Sequence, residues 1–228
     1  MTGKQQRNDT APAAKLADVR NRVAKAAALA GRRDDEICLI AVSKTRSAAE
    51  IERLIAAGAT DFGENRVQEI QEKWPAIRAR HPHVRLHFIG RLQSNKAAEA
   101  MALCDAIHSL DRRSLVDAIA RAVASGEAAP ELFVQVNIGD EPQKGGCAIA
   151  DLPALLDYAA EQGLAISGLM AVPPFDVEPA PYFALLAELA VRNGLVGLSM
   201  GMSSDFEIAA ILGATHVRIG SELFGPRV

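Results

Sequence analysis

The chain of 228 residues contains only three cysteines, Cys38, Cys104 and Cys147, and none of them forms a CxxC pair. This scarcity argues against a disulfide framework or a structural zinc site, and it indicates a reducing compartment. The sequence also lacks a run of about 18 apolar residues and an apolar signal segment near its start. We therefore expect a cytoplasmic protein with no metal and no membrane partner.

No excess of one charge marks the chain, whose formal net charge is -3. Basic residues are nevertheless concentrated in residues 1–33, which carry eight Lys or Arg against two Asp. Such a segment could bind nucleic acid or an acidic partner, or it could be the solvated face of a helix. We favour the solvated face and expect no nucleic-acid partner, because the net charge of the whole chain gives no general attraction to phosphate backbones.

Regular patterns begin after a polar, unpatterned segment. Residues 1–13 are expected to form a disordered tail. Apolar residues at helical spacing then predict a helix over 14–30. Eight apolar or β-branched runs follow, each of which predicts a strand: 37–42, 59–63, 84–89, 106–110, 132–138, 165–172, 196–200 and 216–219. The segments between these runs carry helix starts, among them capping boxes at Ser47–Glu50 and Ser204–Glu207.

Strands that alternate with helices require parallel neighbours and crossover connections. Eight such units predict an α/β fold, a single (β/α)8 TIM barrel over residues 14–228 with an extra N-terminal helix. A doubly wound sheet is the competing architecture. It would carry a GxGxxG stretch after its first strand, whereas this first strand is followed by SKTRS.

The chemistry of a TIM barrel lies at the carboxyl ends of its strands. Lys44 follows the first predicted strand, and it shares a face with Ile40 and Val42, so its amine should point into the barrel mouth. A lone lysine is commonly a solvated surface residue. A lysine among apolar walls, however, has a lowered pKa and can form a Schiff base with a carbonyl compound.

The loops after the seventh and eighth strands carry Gly201, Ser203, Gly220 and Ser221 just before predicted helices. Glycine permits close approach, free amides attract anions, and this is the recurrent phosphate position of the fold. Arg218 should face the barrel interior and therefore needs a partner. A lysine opposite a phosphate site indicates either pyridoxal phosphate or the sugar phosphate of a class I aldolase.

Six segments together carry a resemblance to a known family: AVSKT (41–45), GENRVQE (63–69), HFIGRLQSNK (87–96), VNIGDEPQKGG (136–146), LMAVP (169–173) and 198–225. In this order they resemble the pyridoxal phosphate homeostasis protein family, which is similar to the N-terminal barrel domain of alanine racemase. The resemblance implies that pyridoxal 5'-phosphate (PLP) is the cofactor and that Lys44 holds it as a Schiff base.

The resemblance also implies roles for further residues. Phosphate contacts are expected from Ser203, Gly220 and Ser221, with Ser199 and Met202 lining the same loop. Arg218 is expected to face the pyridine nitrogen, and Asn65 and His87 are expected at the mouth near the ring. The sequence has Arg66 where the family commonly has an aromatic residue, which changes only the surroundings of the cofactor there.

An arginine cannot accept the proton that a strong electron sink requires at the pyridine nitrogen. The only tyrosines, Tyr158 and Tyr182, fall in predicted outer helices, so no second base faces the lysine. We therefore expect a PLP carrier or buffer without turnover of its own. The partners would be PLP and, transiently, PLP-dependent apoenzymes, and the chain would be a monomer. A PLP-dependent racemase of low activity and a Schiff-base aldolase remain the alternatives.

Overall fold

The structure is a computed structural model that describes residues 3–225, with side chains described from Ala11 onwards. Within this range eight parallel strands close into a barrel in chain order, and β1 pairs with β8. The strands are β1 (Cys38–Val42), β2 (Asp61–Glu64), β3 (Arg85–Phe88), β4 (Ala106–Leu110), β5 (Glu131–Gln135), β6 (Gly168–Met170), β7 (Gly197–Met202) and β8 (His216–Ile219). The helices are α1 (Gly3–Leu29), α2 (Ala48–Ala56), α3 (Val67–Arg80), α4 (Ala97–Met101), α5 (Arg113–Ala124), α6 (Leu152–Glu161), α7 (Ala180–Arg192), α8 (Phe206–Ile211) and α9 (Ser221–Phe224).

The barrel and its eight strands confirm the predicted fold. The fourth and eighth strands have the predicted bounds, and the largest difference is at β6, where the apolar run 165–172 contains a ladder only over Gly168–Met170. An apolar run indicates which residues are buried. The length of a strand depends instead on how many of its residues pair with the neighbouring strands. β6 pairs with both β5 and β7 over these three residues alone.

Helix α1 lies outside the barrel and starts earlier than its apolar pattern. Leu16, Val19 and Val23 are buried against the barrel, as their spacing predicts. The helix nevertheless runs from Gly3, so it includes most of the segment for which the sequence predicts disorder. Backbone hydrogen bonds of a helix need no apolar face, so the pattern marks only the part that packs. Residues 1 and 2 lie outside the described range, and the domain boundary at residue 14 stays a prediction.

Several basic residues of α1 and the segment after it are bonded to the barrel. Arg20 donates to the carbonyl of Gly58 at 2.7 Å, and Arg22 donates to Glu207 at 2.8 Å. Arg32 donates to two backbone carbonyls in and after α8. These guanidinium groups hold the helix on the barrel, so this part of the basic segment is not only the solvated face that the sequence predicts.

One of the two predicted capping boxes forms. Ser47 accepts from the amide of Glu50, and the Glu50 carboxylate accepts from the amide of Ser47, at the start of α2. The prediction of a capping box at Ser204–Glu207 is wrong, because α8 begins at Phe206 without a side-chain cap. Glu207 instead accepts from Arg22, and an ion pair across the helix layer replaces the local cap.

The middle of the barrel interior contains aromatic and imidazole rings. His108 stacks on Phe133 with a centroid distance of 4.3 Å, and the rings of His87 and His216 lie within 6.0 Å of each other. All four side chains are buried. A polar layer thus lies below the carboxyl-terminal mouth, where barrels of this type usually carry branched apolar residues. No helix within residues 3–225 is long and apolar enough to cross a bilayer.

Candidate cofactor site

A cavity of about 520 Å³ opens at the carboxyl ends of the strands, within the range of about 300–1,000 Å³ usual for cofactor sites. Its walls come from the ends of β1, β2, β7 and β8, from the loops that follow them, and from one residue each of the loops after β3 and β6. Seven of the nine predicted site residues line it: Lys44, Asn65, Met202, Ser203, Arg218, Gly220 and Ser221. The remaining lining residues are Val42, Arg46, Ile89, Val172, Ser204 and Gly225.

The turn that carries Lys44 is anchored on both sides. Ser43, which is fully buried, donates its hydroxyl to the carboxylate of Glu64 at 2.8 Å. Thr45 has a positive φ of 64°, and its amide donates to the carboxylate of Glu69 at 2.8 Å. A non-glycine residue in this region indicates a turn held by its surroundings. The backbone of Lys44 is therefore fixed while its side chain, half-buried, lines the cavity.

The loops after β7 and β8 meet beside the turn of Lys44, because β8 pairs with β1. The amide of Gly220 donates to the hydroxyl of Ser203 at 3.4 Å, which joins the two loops directly. The Ser203 amide follows Met202, which pairs with Arg218 in the β7–β8 ladder, whereas the Ser221 amide is the first of α9 and has no acceptor within that helix. Backbone N–H groups directed at a cavity favour an anion. The arrangement is the one the sequence predicts for a phosphate.

Two glycines allow this geometry. Gly201 has φ +91°, and a Cβ atom there would lie 2.6 Å from the Cβ of Ala209, so only glycine lets β7 turn into the Ser203 loop against α8. At Gly90 a Cβ would lie 2.2 Å from the carbonyl oxygen of Asn65. Glycine therefore lets the loop after β3 pack against the backbone that carries Asn65.

Arg218 lies under the cavity and is 5% exposed. Its Nη1 donates to the hydroxyl of Ser199 at 2.7 Å, and its Nη2 donates to the carbonyl of Ala171 at 2.9 Å. Burial lowers the pKa of Arg218 to about 10, and the nearby charge of Asp205 opposes this effect. The guanidinium is thus charged at neutral pH, points inward as predicted, and is held by neutral acceptors.

The side-chain amide of Asn65 indicates that the cavity could bind a ligand. Its Oδ1 atom is buried and has no hydrogen-bond partner among the described residues. An unsatisfied buried amide oxygen costs about 1–3 kcal/mol. A ligand with a polar group at this wall would recover part of that free energy. The residues present therefore fit a small molecule that carries an anion at one end and polar substituents on its ring.

The comparisons with known proteins agree with this geometry. Residues 15–228 match the family described as alanine racemase, N-terminal domain. A protein of Aquifex aeolicus named pyridoxal phosphate homeostasis protein is 39% identical over 93% of this chain and 97% of its own. The protein of that name in Pseudomonas aeruginosa is 40% identical over 93% and 94%. The chain belongs to the pyridoxal phosphate homeostasis protein family.

Solved structures place the family on this fold. The structure of PipY of Synechococcus elongatus PCC7942 with PLP bound has a TM-score of 0.81 and 37% identity, covering 94% of this chain and all of its own. A histidine racemase of Leuconostoc mesenteroides is 17% identical with a TM-score of 0.68, and the match covers only 58% of the racemase chain. The latter likeness concerns the barrel alone.

Two residues that the family resemblance assigns to the cofactor lie deeper than expected. Ser199 and His87 are fully buried and do not line the cavity. Between β7 and β8 the register shifts: Ser199 pairs with His216 and Met202 with Arg218, so β7 holds one extra residue. A bulge of this kind reverses which side chains point towards the mouth.

His87 is an interior residue rather than a mouth residue. It is the third residue of β3, and its Nε2 lies 3.0 Å from the carboxylate of Asp61, the first residue of β2. Its ring is therefore directed towards the amino-terminal end of the barrel. The side chain points into the barrel, but it lies below the mouth, whereas the family resemblance places it at the mouth.

Sequence reasoning missed Arg46 and His108. Arg46 lines the cavity and donates to the carbonyl of Gly225 at 2.6 Å, which holds the end of α9 beside the turn of Lys44. His108 lies in the middle of β4, and its Nδ1 is 2.8 Å from Ser199 Oγ. A buried histidine in the predicted strand 106–110 was the available signal, since it needs a partner as Arg218 does.

Proposed function

We propose that this protein is a carrier and buffer of PLP in intracellular PLP homeostasis, with the cofactor held covalently through Lys44. The observation that carries the proposal is that one cavity contains Lys44, the buried Arg218 and the paired loops at Ser203 and Gly220. When bound, PLP supplies an aldehyde that condenses with an amine and a phosphate that needs donors. The chain offers a group for each.

Each side chain has a separate part in binding. The Ser221 amide and the Ser203 hydroxyl would receive the phosphate. Lys44 would hold the aldehyde end, and Arg218 would donate to the pyridine nitrogen. Because a guanidinium does not accept protons at accessible pH, it would leave that nitrogen unprotonated. This arrangement suits storage better than the stabilisation of carbanions.

The lining also supports a protein without turnover of its own. Its ionisable side chains are Lys44, Arg46 and Arg218, all of them basic. Tyr158 lies in α6 and donates to Asp117 on the neighbouring helix, and Tyr182 lies in α7. A racemase needs an acid and a base on opposite faces of its substrate. The described lining residues include no carboxylate, histidine or tyrosine.

The test of binding is chemical trapping. Purified protein loaded with PLP is treated with borohydride, digested and analysed by mass spectrometry. The phosphopyridoxyl group is expected on Lys44. Its recovery on Lys96 or Lys144 instead would overturn the assignment of the site, and binding without any trapped lysine would overturn covalent retention.

The racemase alternative has its own test. Loaded protein is incubated in deuterium oxide with a panel of L-amino acids, and incorporation at the α-carbon is followed by NMR. We expect no incorporation above the rate of free PLP. Exchange that is faster than that rate and is lost in Lys44→Ala would establish a PLP enzyme. An aldolase is excluded if cofactor-free protein leaves sugar phosphates intact.

Delivery to apoenzymes, a cytoplasmic location and a monomeric state complete the proposal. The cavity opens at the barrel mouth, so a bound cofactor would be within reach of a partner protein. Transfer to a PLP-dependent apoenzyme, measured as recovery of its activity, should be faster from the loaded carrier than from an equal concentration of free PLP. A sedimentation coefficient of a dimer would contradict the monomer.

A further inference from the structure

A continuous line of hydrogen bonds crosses the barrel interior beneath the cavity. Arg218 Nη1 is 2.7 Å from Ser199 Oγ, and Ser199 Oγ is 2.8 Å from His108 Nδ1. His108 Nε2 is 3.0 Å from His87 Nδ1, and His87 Nε2 is 3.0 Å from Asp61 Oδ1. The middle three side chains are fully buried. The line thus connects the floor of the cofactor cavity with the amino-terminal end of the barrel.

The two ends fix the direction in which every proton points. A guanidinium can only donate, and a carboxylate can only accept. Ser199 accepts from Arg218 and therefore donates its own proton to His108 Nδ1. His108 then carries its proton on Nε2 and donates to His87 Nδ1. His87 carries its proton on Nε2 and donates to Asp61.

The reverse order leaves groups without partners. If His108 donated to Ser199, the serine oxygen would receive two donors and its own proton would have no acceptor among the described residues. His87 would then have to be a charged imidazolium to keep its bond to Asp61. That would place a second buried positive charge in the interior that already holds Arg218, at a high desolvation cost.

The electrostatics of the line agree with the forward order. Burial lowers the pKa of His108 far below its usual range, and the neighbouring His87, His216, Arg218 and Arg85 act in the same direction. Burial alone would raise the pKa of Asp61, but hydrogen bonds from His87 and from Thr60 outweigh it and lower the pKa to about 2. His108 is therefore neutral, and the line has a cation at one end and a carboxylate at the other.

We propose that His108, His87 and Asp61 are positioning residues for Arg218, whose orientation under the cavity they fix through this one-way order of protons. Ser199 and the Ala171 carbonyl hold the two terminal nitrogens, so the guanidinium cannot rotate without breaking a buried bond. The consequence for the cofactor rests on the proposed function. The proton order itself does not, because it belongs to the protein alone.

The proton order is tested on the cofactor-free full chain. Protein labelled with ¹⁵N-histidine is examined by long-range proton–nitrogen correlation at pH 7, with signals assigned from single His variants. His87 and His108 are both expected to be neutral with the proton on Nε2. An imidazolium pattern or an Nδ1 proton at either ring would overturn the proposal.

The positioning role is tested with a matched pair of variants. His108→Phe interrupts the line but keeps a ring to stack on Phe133, whereas His216→Phe changes a buried neighbour that bonds to Thr215 and lies outside the line. We expect His108→Phe to weaken PLP binding about tenfold, the ratio for one buried hydrogen bond, and to shift the pH midpoint of the visible band of the loaded protein. His216→Phe should leave both values unchanged.

Equal effects of the two variants on affinity and band midpoint would reduce the line to a structural role and refute the positioning proposal. If His108→Phe does not fold, the proton positions in the unaltered protein still decide. If the proton order is found but no PLP binds, the proposed function fails while the order stands.

Discussion

Two cavities lie side by side at the mouth of this barrel, and we propose that the smaller one is the cofactor site. The larger, of about 640 Å³, is lined by Arg66, Arg91, Lys96 and Arg112 with polar residues of the loops after β2 and β3. The smaller, of about 520 Å³, contains Lys44 and the paired loops after β7 and β8. Asn65 lines both.

The difference lies in where the cations are held and what faces them. In the larger cavity Lys96 pairs with Glu99 at 2.7 Å, and Arg112 pairs with Asp111 at 2.5 Å. In the smaller cavity the turn of Lys44 starts directly at a strand end, and the loops after β7 and β8 bring the Ser203 hydroxyl and the start of α9 into the same cavity. A large cavity with positive charge attracts many anions. Hydrogen-bond donors held in place near the amine of Lys44 can select one ligand among them.

The strongest test of this comparison replaces one lysine of each cavity by alanine, in two separate variants. Lys44→Ala should abolish the visible band of the loaded protein and weaken PLP binding by about a hundredfold or more. Lys96→Ala should leave both unchanged, because its amine is paired at the rim. Absorbance titration of the two variants measures this. A loss of the band in Lys96→Ala would reverse our assignment of the two cavities.

The shape of the Lys44 cavity is tested at Gly201. Gly201→Ala should destabilise the protein by about 2–5 kcal/mol, since a side chain meets both a positive φ and the Cβ of Ala209. Gly194→Ala is the control, because its φ is +68° but nothing lies within 4 Å. We expect about 1–2 kcal/mol there. Urea unfolding compares them, and equal losses would show that steric contact with α8 is unimportant.

The buried histidines beneath the Lys44 cavity predict a pH dependence. Burial lowers the pKa of His216 to about 3 from 6.5, so the folded protein keeps this ring neutral. Between pH 6.5 and 3 the unfolded chain binds more protons, and stability therefore falls as pH falls. From pH 7.5 to pH 5 the titration of His216 should lower the free energy of unfolding by about 2 kcal/mol. Urea unfolding at both pH values should show a smaller loss in His216→Phe, and an unchanged loss would contradict this origin.

The smallest effect is expected from the hydroxyl that joins the two loops. Ser203→Ala removes the acceptor for the Gly220 amide and one donor for phosphate, and it should weaken PLP binding about three- to tenfold. Ser94→Ala makes the same change in the larger cavity and should have no effect. Isothermal titration can separate the two. Equal weakening in both variants would mean that the larger cavity takes part in binding.

Much of the site could be predicted because its signals are local. Lys44 follows an apolar run, and Arg218 alternates with Val217 and Ile219 along one strand. These patterns follow from the two-residue alternation of side chains along a strand, which is the same in every barrel. The glycine and serine pairs after β7 and β8 likewise mark loops of known position in this fold.

Ser199 and His87 could not be assigned in the same way. The side on which Ser199 lies depends on the extra residue in β7, and a bulge is decided by the pairing of two strands rather than by one sequence segment. The depth of His87 depends on the stagger between β2 and β3, which brings its ring to Asp61. Neither feature has a local signal.

By itself the sequence determined the number and order of strands, the turn that carries Lys44, the loops suited to phosphate and the inward face of Arg218. Each of these depends on residues close together in the chain. Only the closed barrel decided that Ser199 lies beside His108, a residue 91 positions away, and that Arg218 is linked through both to Asp61. The physical reason is that closure and stagger of the sheet set the distances between side chains on different strands, and no single strand contains that information.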